Sequence, residues 1–263
     1  MINSKNSWFS CLFVCLPILM LAQQQLYSEA SLIKDKDTLN YRILWPENFS
    51  EDKSYPLVLF LHGAGERGSD NKAQLTHGST LFTAEENRSK FPAIVIFPQC
   101  PKDDYWSNVD IDRSGKGVKL KFHPEKEPTL ALTMVMELLT QQLEKSYVKR
   151  DQVYVAGLSM GGMGTFEILS RMPETFAAAI PICGGGSTAL VEKYVQIPMW
   201  VFHGAKDDVV DPLYSLEMVE ALLKSGGHPN FTLYEDANHN SWDSAFAEPQ
   251  FLPWLFSKKR MHP

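Results

Sequence analysis

The chain has 263 residues, a formal net charge of -6 and 44% hydrophobic residues. That length is enough for one α/β domain with a substantial core. Its lysines and arginines alternate with acidic residues, and no basic run is long enough to follow a phosphate backbone, so nucleic acid is not an expected partner.

Residues 1–22 hold Lys5 and the apolar run WFSCLFVCLPILMLA, and a polar QQQ follows them. This is a secretory signal peptide in outline, too short and too weakly flanked for a comfortable membrane span. An uncleaved anchor is the alternative. Cleavage is expected after Ala22, although Met20 stands where a small residue is usual. The mature chain, 23–263, is then an exported single domain with no stable membrane span. Cys11 and Cys15 leave with the leader. Cys100 and Cys183 follow strands not expected to be neighbours, so they are read as unpaired thiols, and neither has metal-ligand spacing to another Cys or His.

The stretch SLIKDKDTLNYRILWPENF alternates apolar and polar residues around KDKD and predicts an antiparallel hairpin. YPLVLFLHG, FPAIVIFPQ and DQVYVAGLS are apolar runs of the kind that a buried strand needs. Between the last two, EPTLALTMVMELLTQQLEKSY has the spacing of an amphipathic helix, with Pro128 near its first turn. Residues 106–127 are polar and read as a long loop. GGMGTFEILSRMP predicts a helix stopped by Pro173. Then follow a strand in FAAAIPICGG, a strand in IPMWVFHGA, a helix in DPLYSLEMVEALLKSGG, a strand in FTLYEDA, and a last helix in SWDSAFAEPQFLPWLF interrupted by prolines. Strands alternating with helices imply a mostly parallel sheet covered on both faces.

Ligands of such sheets bind beyond the carboxyl ends of the strands, which tests each candidate by position. Ser159, in VAGLSMGGMG, sits after a strand and before a helix. A bare G-x-S-x-G arises by accident in roughly one chain in ten of this length, so the serine needs partners elsewhere. Glycines on both sides suit a crowded strand-to-helix turn, and the helix N-terminus favours developing negative charge. A serine hydroxyl also needs a base. His62 and His203 are strand-end residues that suit turn packing, and His77 and His123 lie in loops before the serine. His228 is at the wrong sheet edge, and His262 is in the tail. His239, in DANHNSWD, follows a strand at its carboxyl end and satisfies the order serine, acid, histidine. Asp207, Asp208 and Asp211 are the candidate acids between them. The Met160 N–H at the helix start is one oxyanion donor, and the glycine-rich turn HGAGERG supplies the other. Trp106 begins the loop beside this edge and offers an aromatic platform for a sugar or aryl group; packing beneath the loop is the alternative.

Together LHGAGERG, GLSMGG, FHGAKDDVV and HNSWD resemble the α/β-hydrolase superfamily. More narrowly, they are similar to its small serine esterases related to phospholipase/carboxylesterases and dienelactone hydrolases, and to predicted peptidases with a prolyl-oligopeptidase-type catalytic domain. The resemblance covers nearly all of the mature chain. It implies an α/β-hydrolase fold, with Ser159 as nucleophile, His239 as base, Asp207 rather than Asp208 as acid, and Ala64 as the second oxyanion donor. Dienelactone hydrolases proper carry a cysteine nucleophile, so dienelactone cleavage is not implied. There is no room for the propeller of prolyl oligopeptidases.

The expected function is hydrolysis of carboxylic esters through an acyl-enzyme, with no metal or organic cofactor. A small-molecule or carbohydrate-linked ester, acetyl or hydroxycinnamoyl, is the expected substrate class. A peptidase or amidase on the same triad is one alternative. A binding module that keeps the fold without turnover is the other.

Overall fold

The computed structural model describes residues 25–115 and 118–260, so the leader segment lies outside the described residues. Its main sheet has eight strands in the order β1-β2-β4-β3-β7-β8-β9-β10. Strands β1 (Tyr27–Lys34) and β2 (Asp37–Leu44) form the antiparallel hairpin the alternation predicts, and β2 pairs antiparallel with β4 (Ile94–Pro98). From β4 onward the pairings are parallel, through β3 (Tyr55–Leu61), β7 (Val148–Leu158), β8 (Ala178–Ile182), β9 (Trp200–Gly204) and β10 (Asn230–Tyr234).

Every residue of β3 is buried, because both faces of the sheet are covered. The strand period of two divides the core accordingly. Leu57, Leu59, Leu61, Ile94 and Ile96 share one cluster with the helices at Leu130–Leu143, Met160–Arg171 and Leu213–Lys224. Val58, Phe60, Val95 and Phe97 share the other with Phe82 and Phe251 of helices on the opposite side. Each such side chain, fully buried, contributes about 1.5–3 kcal/mol of transfer free energy. In chain order the helices are α1 (Ser79–Thr83), α2 (Glu85–Lys90), α3 (Leu130–Leu143), α4 (Met160–Arg171), α5 (Leu213–Lys224), α6 (Trp242–Phe246) and α7 (Phe251–Ser257). The last two replace the single interrupted helix of the sequence reading.

Two regions depart from expectation. Helices α1 and α2 fill a stretch to which the pattern assigns no element. Residues 106–127 are not a structureless loop: β5 (Val109–Asp112) pairs antiparallel with β6 (Lys119–Phe122). VDID and KLKF do alternate, but over four residues each and with half-exposed apolar positions, too short a signal to separate from a polar loop. The hairpin is fastened to the body. The Leu120 N–H donates to Tyr214 Oη at 2.7 Å, and Val118 bridges to Val210. Cys100 and Cys183 are buried and unpaired, at the ends of strands that do not adjoin.

Candidate active site

Ser159 stands between β7 and α4 with φ 54° and ψ -116°, a conformation that costs a side-chain-bearing residue on the order of 1–3 kcal/mol. The surroundings enforce it. The Ser159 N–H donates to Ile182 O of the neighbouring strand at 2.9 Å, while its carbonyl starts the helix by accepting from Met163 N–H at 3.0 Å. A Cβ at Gly157 would collide with the Gly161 carbonyl, and one at Gly161 would collide with the Leu61 carbonyl. The two glycines flanking the serine are therefore steric requirements of the turn.

Asp207 and His239 arrive from the ends of β9 and β10. Gly204 lets their loops cross, since a Cβ there would strike the Ala237 and Asn238 carbonyls. The Lys206 N–H donates to Ala237 O at 3.0 Å across the same crossing. His239 Nδ1 then lies 2.8 Å from Asp207 Oδ2, and its Nε2 lies 2.9 Å from Ser159 Oγ. Asp208 and Asp211 are exposed and take no part in this chain of contacts.

Asp207 is a fully buried carboxylate. Burial alone would raise its pKa, but hydrogen bonds from His203 and His239 and the nearby His239 charge outweigh it and hold the carboxyl well below the usual carboxylate range. Val209 and Val210 each donate a backbone N–H to Oδ1 at 2.9 Å. The Nε2 of His203 approaches Oδ2 at 3.1 Å, the same oxygen that meets His239. An ionised carboxylate only accepts, so the His239 proton sits on Nδ1 and leaves Nε2 free to accept from the serine hydroxyl. His203, read from sequence as turn packing, thus contacts the acid directly. His62 does serve the turn. Its Nδ1–H donates to Gly63 O at 2.6 Å and its Nε2 accepts from Cys100 N–H at 2.9 Å; burial lowers its pKa to about 4, so it is neutral.

Ala64 and Met160 occupy the first positions of a short 3-10 turn (Ala64–Glu66) and of α4, where backbone N–H groups have no partner within the helix. Ala64 and Ser159 line one cavity of about 250 Å3, together with His239, Tyr105, Ile111, Arg113, Leu120 and Trp242. Trp106 does not. It is fully buried, its indole N–H donates to His62 O at 3.1 Å, and its ring packs edge-on to His62 at 5.2 Å. The expected platform is corrected on this point: Trp106 is held under the loop, and the residue beside it, Tyr105, faces the cavity. Sequence reasoning also gave no site role to Glu66 and Trp242, and set His77 aside as a loop residue. Glu66 and Trp242 lie in motifs already quoted, but only the fold brings all three to the cavity that holds Ser159.

Among the described residues, Cys183, Asp207 and His239 place one potential metal-ligand atom each within 4.8 Å of one another. Burial raises the Cys183 thiol pKa well above its usual value, and Asp207 and His239 are already bonded to each other, so a metal there would have to displace protons and break that pair.

The family model described as "Putative esterase" matches residues 35–247. A solved thermostable esterase is 33% identical with a TM-score of 0.82, over 91% of this chain and 64% of that one. A bifunctional acetylxylan esterase/xylanase from Neocallimastix patriciarum is 25% identical over 180 residues, 68% of this chain and 22% of the relative. A ferulic acid esterase from Anaeromyces mucronatus, solved with ferulic acid, is 16% identical with a TM-score of 0.60, over 88% of this chain and 90% of that one, a likeness of fold alone. The chain therefore spans only part of the length of the first two.

Proposed function

The chain belongs to the esterase family, and on that premise we propose that it is an exported serine hydrolase that cleaves carboxylic esters through an acyl-enzyme. The observation that carries the reading is the continuous relay Asp207–His239–Ser159, with gaps of 2.8 and 2.9 Å. Ser159 Oγ attacks the ester carbonyl carbon as its proton passes to His239 Nε2. The oxyanion accepts hydrogen bonds from the Ala64 and Met160 N–H groups. The bond to the alcohol then breaks, and His239 returns the proton to the departing oxygen. Water, deprotonated by His239, attacks the acyl-serine and releases the acid. Asp207 keeps the His239 tautomer and offsets the imidazolium charge without taking the proton.

The apolar leader in residues 1–22 supports export, and an amino terminus at Gln23 on the secreted protein is its test. The relatives support a carbohydrate-linked acetyl or hydroxycinnamoyl ester as substrate. Ser159→Ala is expected to abolish p-nitrophenyl acetate hydrolysis while leaving the circular dichroism spectrum unchanged. Retained turnover would remove Ser159 from the mechanism.

A further inference from the structure

In the proposed reaction His239 Nε2 hands its proton to the departing alcohol oxygen, so the alcohol lies against the open side of the imidazole. The groups found there are not used by the acyl transfer itself. The Trp242 ring stands at 84° to His239 with centroids 5.4 Å apart, and it also packs against His77 at 5.1 Å. Beyond it, His77 Nε2 lies 3.8 Å from Glu66 Oε1, too far for a hydrogen bond. All three residues line the cavity that holds Ser159.

Glu66 is the anomaly. Its side chain is only 13% exposed, yet among the described residues its carboxylate accepts no hydrogen bond. It also turns back toward the nucleophile: a Cβ built on Gly63 would stand 3.0 Å from Glu66 Oε2 and 3.7 Å from Ser159 Cβ. A carboxylate beside a developing oxyanion opposes the reaction unless hydroxyls of a bound substrate donate to it. A pyranose meets all three groups at once. Its C–H face covers an indole, and adjacent hydroxyls donate to a carboxylate while accepting from an imidazole.

We propose that Glu66, His77 and Trp242 form the leaving-group subsite, and that it takes a neutral sugar ring whose hydroxyl carries the ester. The inference rests on the ester-hydrolase reading of the same site. The test compares kcat/KM on a mono-O-acetylated methyl pentoside with kcat/KM on p-nitrophenyl acetate, in wild type, Trp242→Ala and Glu66→Gln, with the free methyl pentoside as inhibitor. The ratio of sugar ester to aryl ester is expected to fall ten-fold or more in both variants, and competitive inhibition by the free glycoside to weaken at least five-fold. Equal losses on both substrates, or no inhibition of wild type by the glycoside, would overturn the subsite and leave the esterase reading standing. Turnover of p-nitrophenyl acetate by Ser159→Ala would instead overturn the reading beneath it. Glu66→Gln is nearly isosteric, so the proposal is tested even where Trp242→Ala folds poorly.

Discussion

Asp207 carries its charge against burial only because four donors converge on it: two backbone N–H groups, His203 and His239. Asp207→Asn supplies an amide where His239 needs an acceptor, and it is expected to lower kcat by roughly 10³- to 10⁴-fold. Asp208→Asn, at an exposed neighbour, is expected to change kcat less than two-fold; steady-state kinetics on one ester read both. His62 gives a separate pH signature. Its folded pKa is lowered to about 4 from 6.5, so the unfolded chain binds the extra proton first. Its contribution is complete above pH 6.5 and is lost as pH falls toward 4, on the order of 3 kcal/mol. Thermal melts of the wild type should decline across that window, and His62→Gln should flatten the decline. At this scale Ser159 and His239 were legible because motif order and sheet edge constrain them jointly, whereas those rules left Asp207, Asp208 and Asp211 open and only the family resemblance selected Asp207. Trp106 and Trp242 could not be ranked, since burial depends on which side of a loop a ring falls.

The turn between β7 and α4 links local strain to placement. Strand β8 fixes the Ser159 N–H, the helix fixes its carbonyl, and glycines two residues away on either side admit the neighbouring carbonyls. The positive φ at Ser159 is the residual cost. Ser159→Ala keeps that strain, whereas Ser159→Gly relieves it while losing the same hydroxyl. Both variants are expected to be inactive, with the glycine variant at least as stable in urea despite glycine's greater unfolded-state entropy. A less stable glycine variant would mean that the conformation is not strained. The buried strands and long helices were readable from apolar runs and helical spacing. The β5–β6 hairpin was not, because its four-residue strands are shaped by docking onto Tyr214 and Val210, a tertiary effect.

Across the whole molecule, the parallel order β4-β3-β7-β8-β9-β10 brings residues from four strand ends to one edge. Ala64 follows β3, Ser159 follows β7, Asp207 follows β9 and His239 follows β10, spread over 176 positions of sequence; Ala64, Ser159 and His239 line one cavity, and Asp207 is buried behind His239. The general sheet rule predicted that gathering. It could not predict the cavity's walls, which come from insertions between the strands. The most direct test of the account is intact-protein mass spectrometry after treatment with a fluorophosphonate. One adduct per chain is predicted, mapped to Ser159, absent in Ser159→Ala and formed at least a hundred-fold more slowly in His239→Ala. An adduct on another residue, or no adduct in a preparation that still hydrolyses p-nitrophenyl acetate, would contradict it.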